Sequence, residues 1–489
     1  MKTWTKEELY KPLEETSVEE FIQLKTKVDA CTWRQTFHIQ PITGLLNDPN
    51  GFSYFNGEYN LFYQWFPLGP VHGLKHWYHV KSKDLVHWEN VGLGLKPEYD
   101  YENYGVYSGS AIEKDGQLHI LYTGNHRDKN WQRKPMQALA KMNKQGIITK
   151  LEKPVIDSVP QGYTEHFRDP KVWEENGTYY AVIGAQRENL SGTVVLYSSK
   201  DMTDWTFEGE IQTDYTDFGY MWECPDYFEL DKKGLLLFSP QGIPAQNGRY
   251  QNIYQMGYLL GSPLDMKEKR LEHGEFQELD FGFDFYAAQT TLDEKGRRIL
   301  IGWMGLPEID YPTDVSGWAH CLSLPRELRV IDGKLYQTPV EELNDLRRNQ
   351  EDFAGLVNGI QEITSAKTFE VEGEFTNIQA QSVGLKLRAG NGEELVFKYD
   401  VENQQLILDR SKAGVEFAQE FGDTRSISYK KEKLKFRIFV DTSSVEIFIN
   451  DGEYTMSSRF FSTNTQDKIQ VFSENGSANV VLRKWDIHK

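Results

Sequence analysis

Three acidic residues stand in short motifs built for chemistry: Asp48 in Asn47-Asp48-Pro49-Asn50-Gly51, Asp169 in Arg168-Asp169-Pro170, and Glu223 in Trp222-Glu223-Cys224-Pro225. Two carboxyl groups are enough to break a glycosidic bond. One protonates the leaving oxygen and the other attacks or stabilises the cationic sugar carbon; a third can bind hydroxyls. Singly, each motif has a plainer reading. Asn-Asp-Pro-Asn-Gly is a turn sequence, and Arg-Asp-Pro fits a turn with a surface ion pair. Glu223 is flanked by Met221, Trp222 and Cys224, and desolvation among such neighbours is expected to raise its pKa, as a general acid needs. What favours chemistry is that the three stand at matching places in a repeat.

From about residue 36 the chain shows short runs rich in Tyr, Phe, Trp and Val, punctuated by turns such as Asn56-Gly57 and Asp115-Gly116. A unit of a polar or small-residue start, an apolar strand, a turn and a second aromatic strand begins at Asp48, Ser108, Asp169, Glu223 and Ala287, with spacings of 60, 61, 54 and 64 residues. A local echo, Ser82-Lys83-Asp84-Leu85 with Trp88, returns 117 residues later as Ser199-Lys200-Asp201-Met202 with Trp205, about two units on. Each unit has room for four strands, one blade of a β-propeller, so the expected fold is all-β: a five-bladed β-propeller that leaves no long open edge. First strands of blades line the central channel. The unit starts, and with them the three carboxylates, are therefore predicted to converge.

The expected boundaries are an N-terminal helical arm over 1–30, with Phe21, Ile22, Leu24 and Val28 on one face, and a propeller over 31–340. A polar, helix-compatible connector follows over 341–358. Period-two strands resume over 359–489, which predicts a C-terminal β-sandwich.

The 489 residues carry 54 basic and 73 acidic side chains, a formal charge of −19. That balance disfavours nucleic acid and anionic membranes and favours a small ligand. No window reaches the ~18 apolar residues of a membrane span, and the opening MKTWTKEELYKPLEE lacks an apolar export core, which predicts a cytoplasmic protein. Cys31, Cys224 and Cys321 are too few and too scattered for a disulfide framework or a Cys-rich metal site. His72, His76 and His79 follow no metal-binding motif, and Gly92 and Gly94 lack the setting of a nucleotide loop. No metal and no cofactor is expected; the oligomeric state is left open.

Over nearly its whole length the sequence resembles the β-fructofuranosidases of glycoside hydrolase family 32, through HIQPITGLLNDPNGFSYFNGEYNLFYQWFP, the Ser-Gly-Ser after Tyr107, FRDPKVW, WECPDYF, IGWM, LSLPRE and DTSSVEIFINDG. The resemblance implies a five-bladed propeller followed by a sandwich. It also implies that Asp48 is the nucleophile, Glu223 the acid/base and Asp169 the transition-state stabiliser that binds fructosyl hydroxyls. Leu45, Leu46, Asn47, Gln64, Tyr107, Ser108, Arg168 and Trp303 are implied as sugar-pocket residues. The reaction expected from it retains configuration through a fructosyl-enzyme, for which the two carboxyls must stand about 5–5.5 Å apart.

Two positions depart from the wider family. Leu45 replaces a common tryptophan ahead of Leu-Asn-Asp. His72, in Pro70-Val71-His72-Gly73-Leu74-Lys75, stands where relatives acting on unphosphorylated sugars place another tryptophan. Histidine and lysine offer charge-assisted hydrogen bonds to phosphate, where indole offers a face and one donor. His72, Lys75 and Arg127, the last from the basic run His126 to Lys134, are therefore the phosphate-binding candidates, and the expected substrate is sucrose 6-phosphate. The alternatives are a cytoplasmic invertase, a short-fructan hydrolase or a fructosyltransferase among enzymes, and a non-catalytic sugar-binding propeller outside them.

Overall fold

Each of the five units folds into an antiparallel sheet whose four main strands follow chain order from the axis outward. The computed structural model describes residues 2–463, 465 and 467–488; residues 1, 464, 466 and 489, which fall in the arm and the sandwich as delimited above, lie outside the described residues. The innermost strands are Gly44–Phe55 in blade I, Val106–Lys114 in blade II, Tyr163–Glu175 in blade III, Met221–Leu230 in blade IV and Tyr286–Leu292 in blade V. They pack against one another in that order, and blade V returns to blade I. Second strands such as Lys233–Gln241 are buried almost end to end because neighbouring blades cover both faces, which is why they read as unbroken apolar runs. The ring is clasped by Trp318–Ala319, which pairs in parallel with Gly44 and Leu45.

The 117-residue echo is one turn used twice. In blade I, Asp84 Oδ1 accepts the backbone N–H groups of Val86 and His87 while Trp88 Nε1 donates to Leu85 O at 2.7 Å. In blade III, Asp201 Oδ1 accepts Thr203 and Asp204 while Trp205 Nε1 donates to Met202 O at 3.0 Å. Both turns carry the chain into the outermost strand.

The C-terminal part is a sandwich made from one hydrogen-bonded sheet folded over on itself. The long strand Lys468–Ile487 pairs with Ser382–Gly390 through its first half and with Phe369–Gln379 through its second, so it belongs to both layers. Their inner faces share a single apolar core that includes Leu385, Phe397, Ile438 and Ile447. The stretch 341–358, read as a connector, is a 3-10 turn over Glu341–Leu346 followed by the strand Arg347–Ser365 along the outside of Lys468–Ile487. Exposure on both faces, with Val357 alone buried, gives that strand its polar composition, and the polarity hid it.

The arm forms two helices, Lys6–Leu9 and Val18–Asp29, each opened by a capping box, Thr5 with Glu8 and Ser17 with Glu20. Val28 is buried, and Phe21 and Leu24 are half-buried. Ile22, assigned to the same face, is exposed, because it lies a ~100° rotation away from Phe21. Propeller and sandwich are joined by buried charge. Arg326 Nη2 donates to Glu446 Oε2 at 2.7 Å and Nη1 to Asp280 Oδ2 at 3.2 Å, and His38 bridges Asp441 and Glu446 at 2.8 and 2.9 Å. These contacts account for the DTSSVEIFINDG and LSLPRE motifs, whose Asp441, Glu446, Leu324 and Arg326 tie the sandwich to the propeller. Among the described residues no helix is long and apolar enough to cross a membrane.

Candidate active site

At each of the five unit starts the innermost strand breaks register with its neighbour. The shifts fall between Leu46 and Pro49, Val106 and Gly109, Arg168 and Lys171, Glu223 and Asp226, and Tyr286 and Gln289. A bulge re-aims the side chains beside it, and at three of these sites the backbone enters the left-handed region: Asp169 at φ 68°, Cys224 at 47° and Ala287 at 49°. Pro49, Pro170 and Pro225 sit in or beside bulges, where a residue without an N–H is tolerated. The three acidic motifs are therefore bulges in channel-lining strands and not hairpin turns.

The bulges bring Asp48, Asp169 and Glu223 to the wall of one cavity of about 370 Å³. Asp48 Oδ2 accepts from Ser108 Oγ and from Cys224 Sγ at 3.5 Å, and Oδ1 accepts from Asn47 Nδ2 at 3.1 Å. Asp169 accepts the Cys224 backbone N–H at 3.0 Å, and its own N–H donates to Thr123 Oγ1 at 2.9 Å, so blades II, III and IV meet at this residue. Glu223 is held from two sides. Arg168 Nε and Nη2 donate to Oε1 at 3.0 and 2.7 Å, and Tyr286 Oη donates to Oε2 at 2.6 Å. Met221 and Trp222, expected to desolvate this carboxyl, are themselves buried, Trp222 in the apolar core between blades III and IV, while Glu223 opens to the cavity. Its environment is an ion pair and a phenol.

Burial raises the Asp48 carboxyl above the ordinary aspartate range, and repulsion from Glu223 adds to it; Ser108, Asn47 and Lys75 pull the other way. Asp169 is pushed up to about 7, first by burial and then by Glu223 and Asp48, against the opposing charge of Arg168. The folded chain thus keeps a proton at Asp169 that the unfolded chain releases from about pH 4 upward, and stability falls as pH rises across that window. Asp169→Asn removes the ionisation, and asparagine tolerates the left-handed backbone. The variant is expected to melt a few degrees above the wild type at pH 8, with the gap closing near pH 4. A lower melting temperature than wild type at pH 8 would overturn this account.

Of the residues expected around the sugar, Asn47, Gln64, Tyr107, Ser108, Arg168 and Trp303 line the cavity. Leu45 and Leu46 do not: ahead of the bulge they leave opposite faces of the strand, Leu45 to pack with Phe66 and Ala319 and Leu46 to lie in the main core. Among the phosphate candidates, Lys75 lies deep, donating to Asn47 Oδ1 at 2.7 Å, and burial lowers its pKa to about 7 against the pull of Asp48. His72 faces the cavity edge-on to Trp303, ring centroids 6.2 Å apart. Enclosure by the cavity walls, and then Lys75, hold its imidazole well below the usual range, so it offers a neutral donor and not a charge. Arg127 is outside the cavity lining: its Nη1 donates to Trp131 O at 3.0 Å. Sequence reasoning missed Tyr286, one residue before the fifth unit start, where the repeat alone pointed. It also missed Tyr10, Gln241 and Glu308, which reach the cavity from outside the innermost strands and carried no positional signal, and from the basic run His126 to Lys134 it took Arg127 where Arg133 is the one that lines the cavity.

Asp48, Asp169 and Cys224 bring one ligand atom each within 4.8 Å of one another. Burial raises the Cys224 thiol well above its usual range, so it serves as a donor to the two carboxylates. A soft cation would need the thiolate and a hard one more oxygens than this pair supplies. His76 and His79 point elsewhere, bonding Leu74 O and Asn60 Oδ1.

A propeller whose axial cavity gathers three carboxylates, one clamped by arginine and tyrosine, defines a glycoside-cleaving enzyme scaffold. Residues 38–339 match the glycosyl hydrolases family 32 N-terminal domain and residues 339–489 the glycosyl hydrolases family 32 C-terminal domain. The chain belongs to glycosyl hydrolase family 32. It is 47% identical to a sucrose-6-phosphate hydrolase of Staphylococcus xylosus, covering 100% of this chain and 99% of that one. Among solved structures it is similar to a sucrose-6-phosphate hydrolase of Lactobacillus gasseri, with TM-score 0.93, 36% identity and 99% of both chains covered. It is also similar to a Bombyx mori β-fructofuranosidase variant in complex with sucrose, with TM-score 0.84, 34% identity, and 96% and 97% covered.

Proposed function

We propose that the chain is a retaining β-fructofuranosidase that hydrolyses sucrose 6-phosphate to glucose 6-phosphate and fructose. The observation that carries this reading is the convergence of Asp48 and Glu223 on one cavity, each held in a fixed orientation by its own set of donors. In the first step an Asp48 carboxylate oxygen bonds to the anomeric carbon of fructose as the bond to the glucosyl oxygen breaks. Glu223 gives its proton to that oxygen. Water then delivers hydroxide to the same carbon and its proton to Glu223, which frees Asp48 and releases fructose. Arg168 and Tyr286 take one Glu223 oxygen each, which fixes the carboxyl plane along the proton path. Asp169, Asn47 and Gln64 are positioned to receive fructosyl hydroxyls, with Asp169 strengthening its bonds as charge develops on the ring.

The phosphate is supported by the sucrose-6-phosphate hydrolases similar to this chain over its full length and by the basic groups on the cavity wall. A cavity that hydrogen-bonds and pairs a phosphate should disfavour the substrate lacking it by roughly 100-fold or more in kcat/KM. Steady-state rates on the two sugars at equal pH and ionic strength check this, and a ratio near one would rule it out. A phosphorylated disaccharide is charged and crosses bilayers poorly, so the site of action we propose is the cytoplasm; recovery of the activity outside intact cells would contradict that.

A further inference from the structure

Among the described residues, the charged groups on the cavity wall other than Arg133 are already engaged, and the histidine there carries no charge. Lys75 is bonded to Asn47, Arg168 to Glu223, and His72 is neutral. Arg133, which opens the third strand of blade II, lines the same cavity. Its Nε is buried and has no hydrogen-bond partner among the described residues. Its nearest charges include the guanidinium groups of Arg168 and Arg127, which repel it, with Glu165 opposing them. A partly buried guanidinium crowded by two others is costly. Among the described residues no carboxylate makes an ion pair with it, Glu165 acting only at longer range, which is the pattern expected when the missing anion arrives with the ligand.

The wall around Arg133 is shared between blade II and the N-terminal arm. Leu9 O accepts the Leu74 N–H at 2.7 Å and docks the first helix against blade I. Tyr10 then reaches the cavity and meets Trp131 edge-on at 5.6 Å, while Tyr104 packs the same indole at 4.5 Å. Lys6 Nζ and the Arg127 guanidinium lie over that ring, 3.1 and 5.2 Å from its centroid. Tyr10 shares Arg127, Arg133 and Tyr107 as electrostatic neighbours, and burial raises its phenol, so it stays a donor. The blade V side of the cavity carries Glu308 instead, bonded to Tyr254 Oη at 2.8 Å, and would repel a dianion.

We propose that Arg133 is the specificity-determining residue that binds the 6-phosphate of the leaving glucosyl group, against an aromatic wall that Tyr10 of the N-terminal arm completes. Arg127 backs it by raising the local positive potential and does not itself touch the ligand. The proposal rests on the sucrose 6-phosphate reading above and assigns its recognition to a residue whose phosphate role does not follow from that reading.

The test is Arg133→Gln and Arg133→Lys in the full chain, assayed on sucrose 6-phosphate and sucrose, with glucose 6-phosphate and glucose as product inhibitors. Losing a charge-assisted, bidentate partner should lower kcat/KM on sucrose 6-phosphate by about 100-fold, mostly through KM, with a loss on sucrose at least tenfold smaller. Inhibition by glucose 6-phosphate should weaken in parallel, and the lysine variant should recover part of both effects. Equal losses on the two sugars would overturn the proposal, since that is what a merely structural arginine would do. A wild type that prefers the phosphorylated sugar, with a preference unchanged in both variants, would overturn the assignment of Arg133 while leaving the substrate reading standing. A wild type without preference would overturn both. If the glutamine variant fails to fold, the lysine variant, which keeps stem and charge, decides alone through its loss of the bidentate geometry.

Discussion

Asp48→Asn is expected to lower kcat by about 10⁴–10⁶, the range for removing a nucleophile while binding and electrostatic stabilisation persist. The exchange is nearly isosteric, and the amide oxygen can still accept from Ser108 and Cys224. Because burial and Glu223 already disfavour the ionised form of Asp48, a neutral amide should leave the melting temperature equal or higher. The same shift sets a pH dependence in the wild type. A nucleophile must be ionised, so activity should fall on the acid side through a pKa above the ordinary aspartate range. Residual activity above one per cent in Asp48→Asn, with a native melting curve, would remove this residue from the covalent step.

Glu223→Gln is expected to cost roughly 10³–10⁴ in kcat on a sugar leaving group, the usual worth of a positioned acid/base. Two readouts separate this from a general disturbance. Fructosides with acidic phenol leaving groups, which depart without a proton, should suffer far less in the first step. Azide, which attacks without a general base, should then speed release and yield fructosyl azide. The glutamine can still accept from Tyr286 Oη, but it removes the ion pair that Arg168 Nη2 makes at 2.7 Å. Some of the loss will therefore come from a guanidinium left without its carboxylate. Uniform losses across leaving groups, with no response to azide, would mean that Glu223 acts through Arg168 and donates no proton.

Much of the fold was legible because a propeller repeats. Five starts at similar spacing, each followed by an apolar strand, a turn and an aromatic strand, were enough to count blades, and the Ser-Lys-Asp echo with its tryptophan marks the same turn in blades I and III. What escaped was whatever lacked period. The strand Arg347–Ser365 is polar because both its faces look to solvent, so there was no alternation to distinguish it from a connector. Ile22 was grouped with Phe21 by proximity although the helical rotation parts them. Leu45 and Leu46, adjacent to the Asn47-Asp48 pair, point into the core because the bulge begins after them.

Which carboxylates stand at blade starts, and that the chain repeats around an axis, is determined by the sequence itself, since residue type and spacing are one-dimensional properties. Only the tertiary structure decided how those residues are used. Bulges at each start turn the acidic side chains inward, and the packing of blade V beside blade IV sets Tyr286 against Glu223. The docked arm brings Tyr10 to a cavity whose other residues lie up to 298 positions away in the chain. The basic run of blade II illustrates the same division. Its composition shows that an anion could be bound there, but Arg127 and Arg133 are cross-strand partners on one face of the sheet, and only side-chain packing sends Arg133 to the cavity and Arg127 to the carbonyl of Trp131. A strand's composition limits which groups are available, and the register of its neighbours determines which of them face one another.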